Sequence, residues 1–372
     1  MPDPAPREQP EAIGVYIHIP FCSTRCDYCA FATWTDRDHL IGDYVDAVVT
    51  DIERTFANGR TPQSLGDCEV SSVFFGGGTP SLLAGADLVR ILAAVPRRAD
   101  AEVTVECNPD TVTPELMQTY AGGGVNRVSF GVQSMVPHVL TSLGRTHVVE
   151  NVRAAVTAAR QAGLGSFNLD IMYGGAGESL ADWIATVDAV LALDPPHVSA
   201  YGLTVEPGTP LAADHARHPD DDDQADKYLA VTERFAAAGL DWYEISNWAQ
   251  PGHECRHNLL YWGQGNYLAF GAAAHGHVNG TRYWNVRTPE RYIEAIRSGQ
   301  SPEAGREELT EDVRRDEARQ LSLRTTAGVP VDALPTGSAA EALDGLVRID
   351  GERAVLTVAG RLLANEVAVR LR

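Results

Sequence analysis

The sequence lacks the features that direct a protein into or across a membrane. The first twelve residues, MPDPAPREQPEA, contain neither a basic nor an apolar segment, so we expect no signal peptide and interpret residues 1–12 as a flexible tail. No apolar run reaches the length that spans a bilayer, so we expect no integral membrane segment. Cysteine is scarce, with 6 in 372 residues, and half of these lie in one short segment. We therefore expect no disulfide framework and a reducing, cytoplasmic location.

The sequence also has few basic residues. Lys and Arg number 30 against 50 Asp and Glu, which gives a formal net charge of -20, and no local basic patch interrupts this excess of acid. Such a surface repels phosphate backbones, so nucleic acid is not an expected partner. The rest of the composition is ordinary for a globular protein, with 44% hydrophobic and 22% charged residues. The length favours one large domain and a smaller one.

Six short β-rich segments recur before residue 240, and the intervals between them have helical patterning. Each interval has room for a crossover helix between parallel strands. The alternation predicts an α/β fold, a partial (β/α)6 TIM-like barrel over residues 13–240. The predicted strands are VYIHI (15–19), SVFF (72–75), VTVE (103–106), RVSFGV (127–132), FNLDIMY (167–173) and VSAYGL (198–203), and the helix candidates include 38–57, 147–162 and 222–238.

The pattern changes after residue 240. Residues 241–290 are rich in aromatics and glycine and contain HNLLYW, and we interpret them as a connecting segment. Charged helical sequence follows at 289–298 and 307–324, and the chain ends in an apparent strand, turn, strand and helix. This order predicts a smaller, winged-helix-like α+β domain over residues 291–372. Its lack of surplus basic charge speaks against DNA binding.

Three cysteines follow the first predicted strand in the segment YIHIPFCSTRCDYCAF. Cys22, Cys26 and Cys29 form a C-x3-C-x2-C loop, and three thiolates on a short loop can hold three irons of a [4Fe–4S] cluster. The fourth iron then has no protein ligand and is open to S-adenosylmethionine (SAM). The alternative is a zinc site completed by His18 or His39, but zinc loops usually pair two C-x2-C units, and no second pair is nearby. The scattered cysteines are interpreted as free thiols: Cys68, Cys107 and Cys255.

Glycine and polar residues mark the ends of several predicted strands. Gly76, Gly77 and Gly78 end one strand, where the absence of Cβ atoms lets a ligand approach the backbone. Other polar residues at or just after C-terminal strand ends are Glu106, Gln133 and Asp170. This is the face on which barrel enzymes carry their active sites, so we expect these groups to converge on one pocket beside the cysteine loop. Taken singly, each also fits a satisfied polar group at a strand end.

Several motifs resemble a known protein family. The chain contains FFGGGTPSLL, VECNPD, RVSFGVQS, LGRTH, FNLDIMYG and YEISNWA, and the residues around the cysteine loop that share the resemblance are Tyr16, His18, Pro20 and Phe21. Over nearly the whole chain these motifs resemble the oxygen-independent coproporphyrinogen III oxidase family of radical-SAM proteins.

Within that family the sequence is more similar to the HemW-type heme chaperones than to the true oxidases. Phe31 stands where the oxidases have a further cysteine. The oxidases also have a longer N-terminal extension before the cysteine loop, whereas only 21 residues precede Cys22 here. The segment HNLLYW at 257–262 also matches the H-N-x-x-Y-W signature associated with heme binding in the chaperones.

The resemblance implies one [4Fe–4S] cluster per chain, SAM and heme as cofactors, and a heme-accepting apoprotein as partner. It assigns Glu106 to the ribose hydroxyls of SAM. The identities of the partner and of the electron donor stay open. The residues that the resemblance places around SAM are Tyr16, Phe31, Gly76, Gly77, Gly78, Thr79, Glu106, Gln133, Arg145 and Asp170.

The resemblance also implies that His257 is the axial heme ligand, with Tyr261 and Trp262 on the porphyrin face. Competing ligands are nearby, namely His253, Cys255, His275 and His277. The sequence therefore favours a radical-SAM heme chaperone. The rival functions are oxidative decarboxylation of coproporphyrinogen III and radical-SAM chemistry on an unrelated substrate.

Overall fold

The structure, a computed structural model, describes residues 12–57, 68–145 and 147–371. Of the predicted N-terminal tail, residues 1–11 lie outside the described residues. Six parallel strands in sequential order form the centre of the molecule. They are β1 (Ala12–Ile19), β2 (Glu69–Gly77), β3 (Glu102–Cys107), β4 (Arg127–Gln133), β5 (Ser166–Tyr173) and β6 (His197–Gly202).

Helices connect these strands, as the spacing predicts. The first eight are α1 (Ile41–Ala57), α2 (Gly85–Ala93), α3 (Pro114–Gly122), α4 (Pro137–Ser142), α5 (Val149–Gln161), α6 (Leu180–Leu191), α7 (Pro210–Ala213) and α8 (Asp221–Ala237). Short 3-10 helices lie at Asp38–Leu40, Pro80–Leu82, Pro109–Thr111, His215–Arg217 and Val331–Ala333. The predicted fold class, a partial (β/α)6 barrel, is confirmed.

Strand alternation separates the apolar core from the polar interior of the barrel. In β1, Val15, Ile17 and Ile19 are fully buried in the main hydrophobic core, whereas Tyr16 and His18 between them face the barrel interior. Helix α1 presents Val48 and Ile52, one turn apart, to the same core. The apolar side chains thus lie between sheet and helices, and the inside of the barrel is left for polar groups.

The next part of the chain extends the same sheet at both edges. Strand β8 pairs antiparallel with β6, and β9 pairs parallel with β1. The predicted boundaries at residues 240 and 290 therefore fall within one hydrogen-bonded sheet, and the division into domains stays a prediction. The elements are β7 (Asp241–Glu244), β8 (Asn247–Ala249), α9 (Arg256–Trp262), β9 (Tyr267–Phe270), β10 (His275–Val278), β11 (Thr281–Asn285), α10 (Pro289–Arg297) and β12 (Glu303–Glu308).

A small antiparallel sheet with its own hydrophobic cluster follows. Leu323, Val329 and Leu356 are among the buried residues of this cluster. No helix within the described ranges is long and apolar enough to cross a membrane. The C-terminal elements are α11 (Glu311–Leu323), β13 (Val329–Pro330), α12 (Ser338–Glu341), β14 (Val347–Asp350), β15 (Arg353–Leu356), α13 (Val358–Leu362) and α14 (Ala364–Ala368).

A buried ion pair fixes the loop that follows β5. Lys227 of α8 is fully buried, and its Nζ lies 3.1 Å from the carboxylate of Glu178 and 2.6 Å from that of Asp223. Glu178 in turn accepts a hydrogen bond of 2.7 Å from the backbone N–H of Gly174. Lys227 therefore holds this loop at the C-terminal edge of the barrel.

We predict that Lys227→Met lowers the free energy of unfolding by about 3–5 kcal/mol, because it leaves the buried carboxylate of Glu178 without its cation. Urea denaturation measures the change. Arg315→Met is the matched control, since Arg315 pairs with Asp312 on the surface and exposed pairs contribute little. Equal losses of stability in both variants would show that burial does not set the strength of the Lys227 pair.

Candidate functional site

The cysteine loop is tied to the end of β1 by backbone hydrogen bonds. Cys22 N–H donates to the carbonyl of Trp34 at 3.0 Å, and Trp34 N–H donates to that of Pro20 at 2.8 Å. Within the loop, Cys29 N–H donates to the carbonyl of Cys26 at 3.2 Å. All three thiols of the loop are free and partly exposed. The loop therefore presents three sulfur donors from a defined backbone.

The glycines at the end of β2 let this strand approach β1 and the loop. Gly77 has φ +107°, and a Cβ there would lie 2.3 Å from the ring of His18. Gly78 N–H donates to the carbonyl of Ile19 at 2.8 Å, and a Cβ at Gly78 would lie 2.7 Å from that oxygen. A side chain at either position would push the strand away from the cysteine loop.

A cavity of about 720 Å³, here called the cysteine cavity, extends from the three thiols over the strand ends. Its volume lies within the usual range for small-molecule sites. The structure thus brings most of the predicted site residues together. Those that line the cavity are Cys22, Cys26, Cys29, Phe31, Gly77, Gly78, Thr79, Glu106, Gln133, Arg145 and Asp170. Gly76, Tyr16 and His257 do not line it.

Polar side chains connect the thiols to the barrel. The guanidinium of Arg145 donates to Cys26 Sγ at 3.3 Å and to the carbonyl of Gly131 at 3.0 Å. Thr79 Oγ1 donates to Cys22 Sγ at 3.6 Å. Gln133 ends β4 with φ 62°, a left-handed conformation that is strained for a residue with a side chain. Strain of this kind is common at ligand sites.

Burial governs the acid–base properties of the cysteine cavity. It raises the pKa values of the Cys22 and Cys29 thiols, so these groups are protonated at neutral pH until a metal replaces the proton. Burial, together with the charge of Asp170, raises the pKa of Glu106 to about 8. Burial also raises the pKa of Asp170, whose carboxylate accepts hydrogen bonds from Ser129 Oγ and Asn168 Nδ2, each at 2.7 Å. Two carboxyl groups with suppressed ionisation therefore lie in one wall.

A second cavity of about 750 Å³, here called the aromatic cavity, lies beside the first inside the barrel. The two cavities share a wall that includes Phe31, Glu106, Asp170 and Tyr201. The aromatic side chains that line the aromatic cavity are Tyr16, Phe31, Phe74, Tyr201, Tyr261, Tyr267 and Trp284. Tyr16, predicted as a SAM contact, faces this cavity.

Two buried polar residues of the aromatic cavity are absent from the set predicted from the sequence. Arg127 and His197 are the first residues of β4 and β6, and both side chains reach the cavity. Strand periodicity was the available signal, because Arg127 has the same parity in β4 as Ser129 and Gln133, which also face the interior. Both residues lie at the N-terminal ends of their strands, whereas the predicted site was built from residues at the C-terminal ends.

His257 is not accessible to a heme in this structure. The imidazole is fully buried, with Nδ1 at 2.9 Å from Ser72 Oγ and Nε2 at 2.8 Å from Tyr261 Oη. The ring of Phe74 stacks on it with centroids 5.3 Å apart. Burial lowers its pKa to about 3, so it is neutral. Both ring nitrogens are engaged, so axial ligation by His257 requires α9 to rearrange.

Among the competing heme ligands, only one is free on a cavity wall. Burial raises the pKa of Cys255 to about 12, so its thiol is protonated. His253 contacts Ser166, and His277 Nδ1 lies 3.0 Å from the carbonyl of Gly265. His275 is exposed and lines the aromatic cavity.

The zinc alternative has little geometric support. His18 has both ring nitrogens engaged, by Tyr16 Oη and by the carbonyl of Ala32, each at 3.0 Å. His39 lies exposed in a short 3-10 helix. Within the described part of the chain, no three His, Cys, Asp or Glu side chains lie close enough to hold a single metal ion.

Comparisons with known proteins identify the family of this chain. The Radical SAM superfamily model matches residues 16–190. The heme chaperone HemW of Mycobacterium tuberculosis (strain H37Rv) is 42% identical, covering 96% of this chain and 94% of the relative. The chain belongs to the HemW family. HemW of Bacillus subtilis (strain 168) is 34% identical over 95% of this chain and 97% of its own length.

A solved structure shares the fold of this HemW family member. The coproporphyrinogen III oxidase HemN from Escherichia coli, a radical-SAM enzyme, aligns with a TM-score of 0.81 and 24% identity, covering 98% of this chain and 91% of that one. Membership of the radical-SAM superfamily implies a [4Fe–4S] cluster and SAM. The donors present fit both groups, because the three free thiols meet a cavity that is large enough for SAM.

The raised pKa of Glu106 predicts a pH-dependent stability of the ligand-free protein. An unfolded Glu titrates near 4.5, whereas folded Glu106 keeps its proton up to about pH 8. The folded state thus binds more protons across this window, and the free energy of unfolding falls as pH rises through it. Glu106→Gln removes this contribution and flattens the profile, which denaturation between about pH 5 and pH 8 measures.

The control for this prediction is Glu115→Gln, because Glu115 is exposed in α3. Its profile should follow that of the wild type. If the profile of Glu106→Gln also follows the wild type, Glu106 does not titrate in this window.

Proposed function

We propose that this protein is a cytoplasmic radical-SAM heme chaperone, which binds a [4Fe–4S] cluster, SAM and heme, and delivers heme to an apoprotein. The observation that carries the proposal is the 42% identity with a protein named heme chaperone HemW, over nearly the full length of both chains. The positions of the thiols and of the adjoining cavity support the cofactor part of the proposal.

In this proposal Cys22, Cys26 and Cys29 ligate the cluster, and Arg145 and Thr79 donate hydrogen bonds to its sulfur ligands. Both residues already contact thiols of the loop. Charge-assisted hydrogen bonds to thiolates stabilise the anionic ligands that iron requires. The bound cluster supplies one-electron chemistry to SAM. The protein would hold the ligand sulfurs in place on the wall of the cavity that would take SAM.

SAM occupies the cysteine cavity in this proposal. Gly77 and Gly78 leave room for its methionine end beside Cys22, and Glu106 accepts hydrogen bonds from its ribose hydroxyls. Gln133 and Asp170 line the same wall, with Tyr16 behind Glu106. Gly76, the first glycine of the predicted run, does not line this cavity. Ribose hydroxyls are neutral donors and acceptors, so a carboxyl group in either protonation state can bind them.

The heme part of the proposal rests on the family. His257 of HNLLYW remains the ligand implied by the resemblance, although its two hydrogen bonds must break for it to bind iron. The rival function is decarboxylation of coproporphyrinogen III. Phe31, which is 64% exposed between the two cavities, distinguishes the chain from the oxidases.

We predict that replacing Cys22, Cys26 and Cys29 together by Ala abolishes the iron and sulfide bound after anaerobic reconstitution, because no cluster ligand is left in the loop. Iron and sulfide analysis together with visible absorption measures the loading. Cys68→Ala is the matched control and should load fully, since Cys68 lies outside the cysteine cavity. Full loading of the triple variant would place the cluster elsewhere.

We predict that the reconstituted protein binds about one heme per chain and does not convert coproporphyrinogen III. Heme titration followed by absorption measures the first property, and product analysis with an authentic oxidase as positive control measures the second. A chaperone needs a defined heme site but no turnover of a porphyrinogen. Conversion without heme binding would overturn the proposed function in favour of the oxidase.

A further inference from the structure

The aromatic cavity contains a buried guanidinium with an unsatisfied hydrogen-bond donor. Arg127 is only 3% exposed, and its Nε–H has no hydrogen-bond acceptor among the described residues. The acidic groups whose charge would act on it are Cys255, Glu102, Tyr243 and Asp170, and both carboxylates among them are engaged elsewhere. Glu102 accepts hydrogen bonds of 3.0 Å from the backbone N–H groups of Arg256 and His257, and Asp170 accepts from Ser129 and Asn168.

A buried N–H donor without an acceptor is costly, and a ligand that brings an acceptor oxygen to the guanidinium of Arg127 would remove that cost. Arg127 is the first residue of β4, and its side chain lines the cavity. A carboxylate matches the planar guanidinium with two parallel hydrogen bonds. The floor of the aromatic cavity is therefore suited to a carboxylate.

The aromatic side chains around Arg127 indicate what kind of molecule would carry the carboxylate. Aromatic side chains line the cavity on several sides, among them Phe74, Tyr201 and Trp284. Flat, apolar ring systems bind well to such surfaces because they gain both area burial and stacking. A volume of about 750 Å³ accommodates a macrocycle rather than a single small ring.

Three imidazoles line the aromatic cavity, and only one has free nitrogens. His18 is engaged by Tyr16 and Ala32, and His197 by Asn168 and Tyr243 at 2.6 and 2.7 Å. The imidazole of His275 forms no hydrogen bond with any residue in the described ranges, and its ring stacks on Trp284 with centroids 5.9 Å apart. A neutral imidazole with a free ring nitrogen is a common ligand of heme iron.

We propose that the aromatic cavity is the heme site, in which Arg127 binds a propionate of the porphyrin and His275 is the axial ligand of the iron. This inference rests on the proposed heme-carrying function and gives that function a location and a ligand. It replaces His257, which lies behind Phe74, with an imidazole that already faces open space. The heme then lies beside the SAM cavity, across the shared wall of Phe31 and Tyr201.

The first experiment compares hemin with hemin dimethyl ester, whose propionates carry no charge. The wild type should bind hemin about ten- to hundredfold more tightly, the factor expected for a hydrogen-bonded ion pair. Arg127→Met should lose this preference, and Arg127→Lys should keep part of it because the cation remains. Equal affinity of the wild type for both compounds would overturn the role of Arg127, and this arm needs no variant to fold.

The second experiment tests the iron ligand by absorption spectra of the hemin complexes. His275→Ala should shift the heme Soret band and weaken binding, whereas the control His253→Ala should leave both unchanged, because His253 lines neither cavity. An unchanged spectrum for His275→Ala, with a shift for His257→Ala, would assign the iron to His257 and overturn our ligand.

The affinity of each variant for SAM completes the test. Arg127→Met should retain the SAM affinity of the wild type, because Arg127 does not line the cysteine cavity. Parallel loss of SAM and hemin binding would show that Arg127 supports the barrel instead of binding cargo. Failure of the wild type to bind hemin at all would overturn the proposed function itself, which separates the two conclusions.

Discussion

The buried carboxylate of Glu102 closes the bottom of the barrel. It lies at the first position of β3 and accepts hydrogen bonds from the backbone N–H groups of Arg256 and His257, which begin α9. Each of these amides would otherwise be an unsatisfied donor at a helix start. Helix α9 is thereby fixed across the N-terminal strand ends, and His257 is directed against Ser72. Glu102 and α9 thus lie at the opposite end of the barrel from the cysteine loop, which follows the C-terminal end of β1.

The polar groups inside the barrel differ in their hydrogen bonding according to their distance from α9. Groups near α9, such as His257 and His197, have both ring nitrogens satisfied by neighbouring side chains. Groups nearer the C-terminal strand ends, such as Glu106, face the open cysteine cavity. Arg127 is the exception, because it is as deeply buried as the supporting groups and yet has an unsatisfied donor.

Local sequence patterns predicted the central strands, the cysteine loop and the convergence of polar residues at the strand ends. The six parallel strands follow from β-rich segments separated by intervals with helical patterning, and the cysteine loop follows from spacing alone. The convergence of Glu106, Gln133 and Asp170 follows from the rule that parallel strands end on one face. The pairing of β9 with β1 was not predictable in this way, because a four-residue strand more than two hundred residues away carries no signal of its register. The burial of His257 depends on the same long-range contacts.

The shared wall between the two cavities has a thermodynamic consequence. Glu106 and Tyr201 border both spaces, so a ligand that orders either side chain changes the surface offered to the other ligand. Any coupling that results is reciprocal: the factor by which SAM changes the affinity for cargo equals the factor by which cargo changes the affinity for SAM. A coupling of about 1–3 kcal/mol corresponds to a change in affinity of roughly five- to 150-fold. In the proposed function, such a wall would let the concentration of SAM set how tightly heme is held.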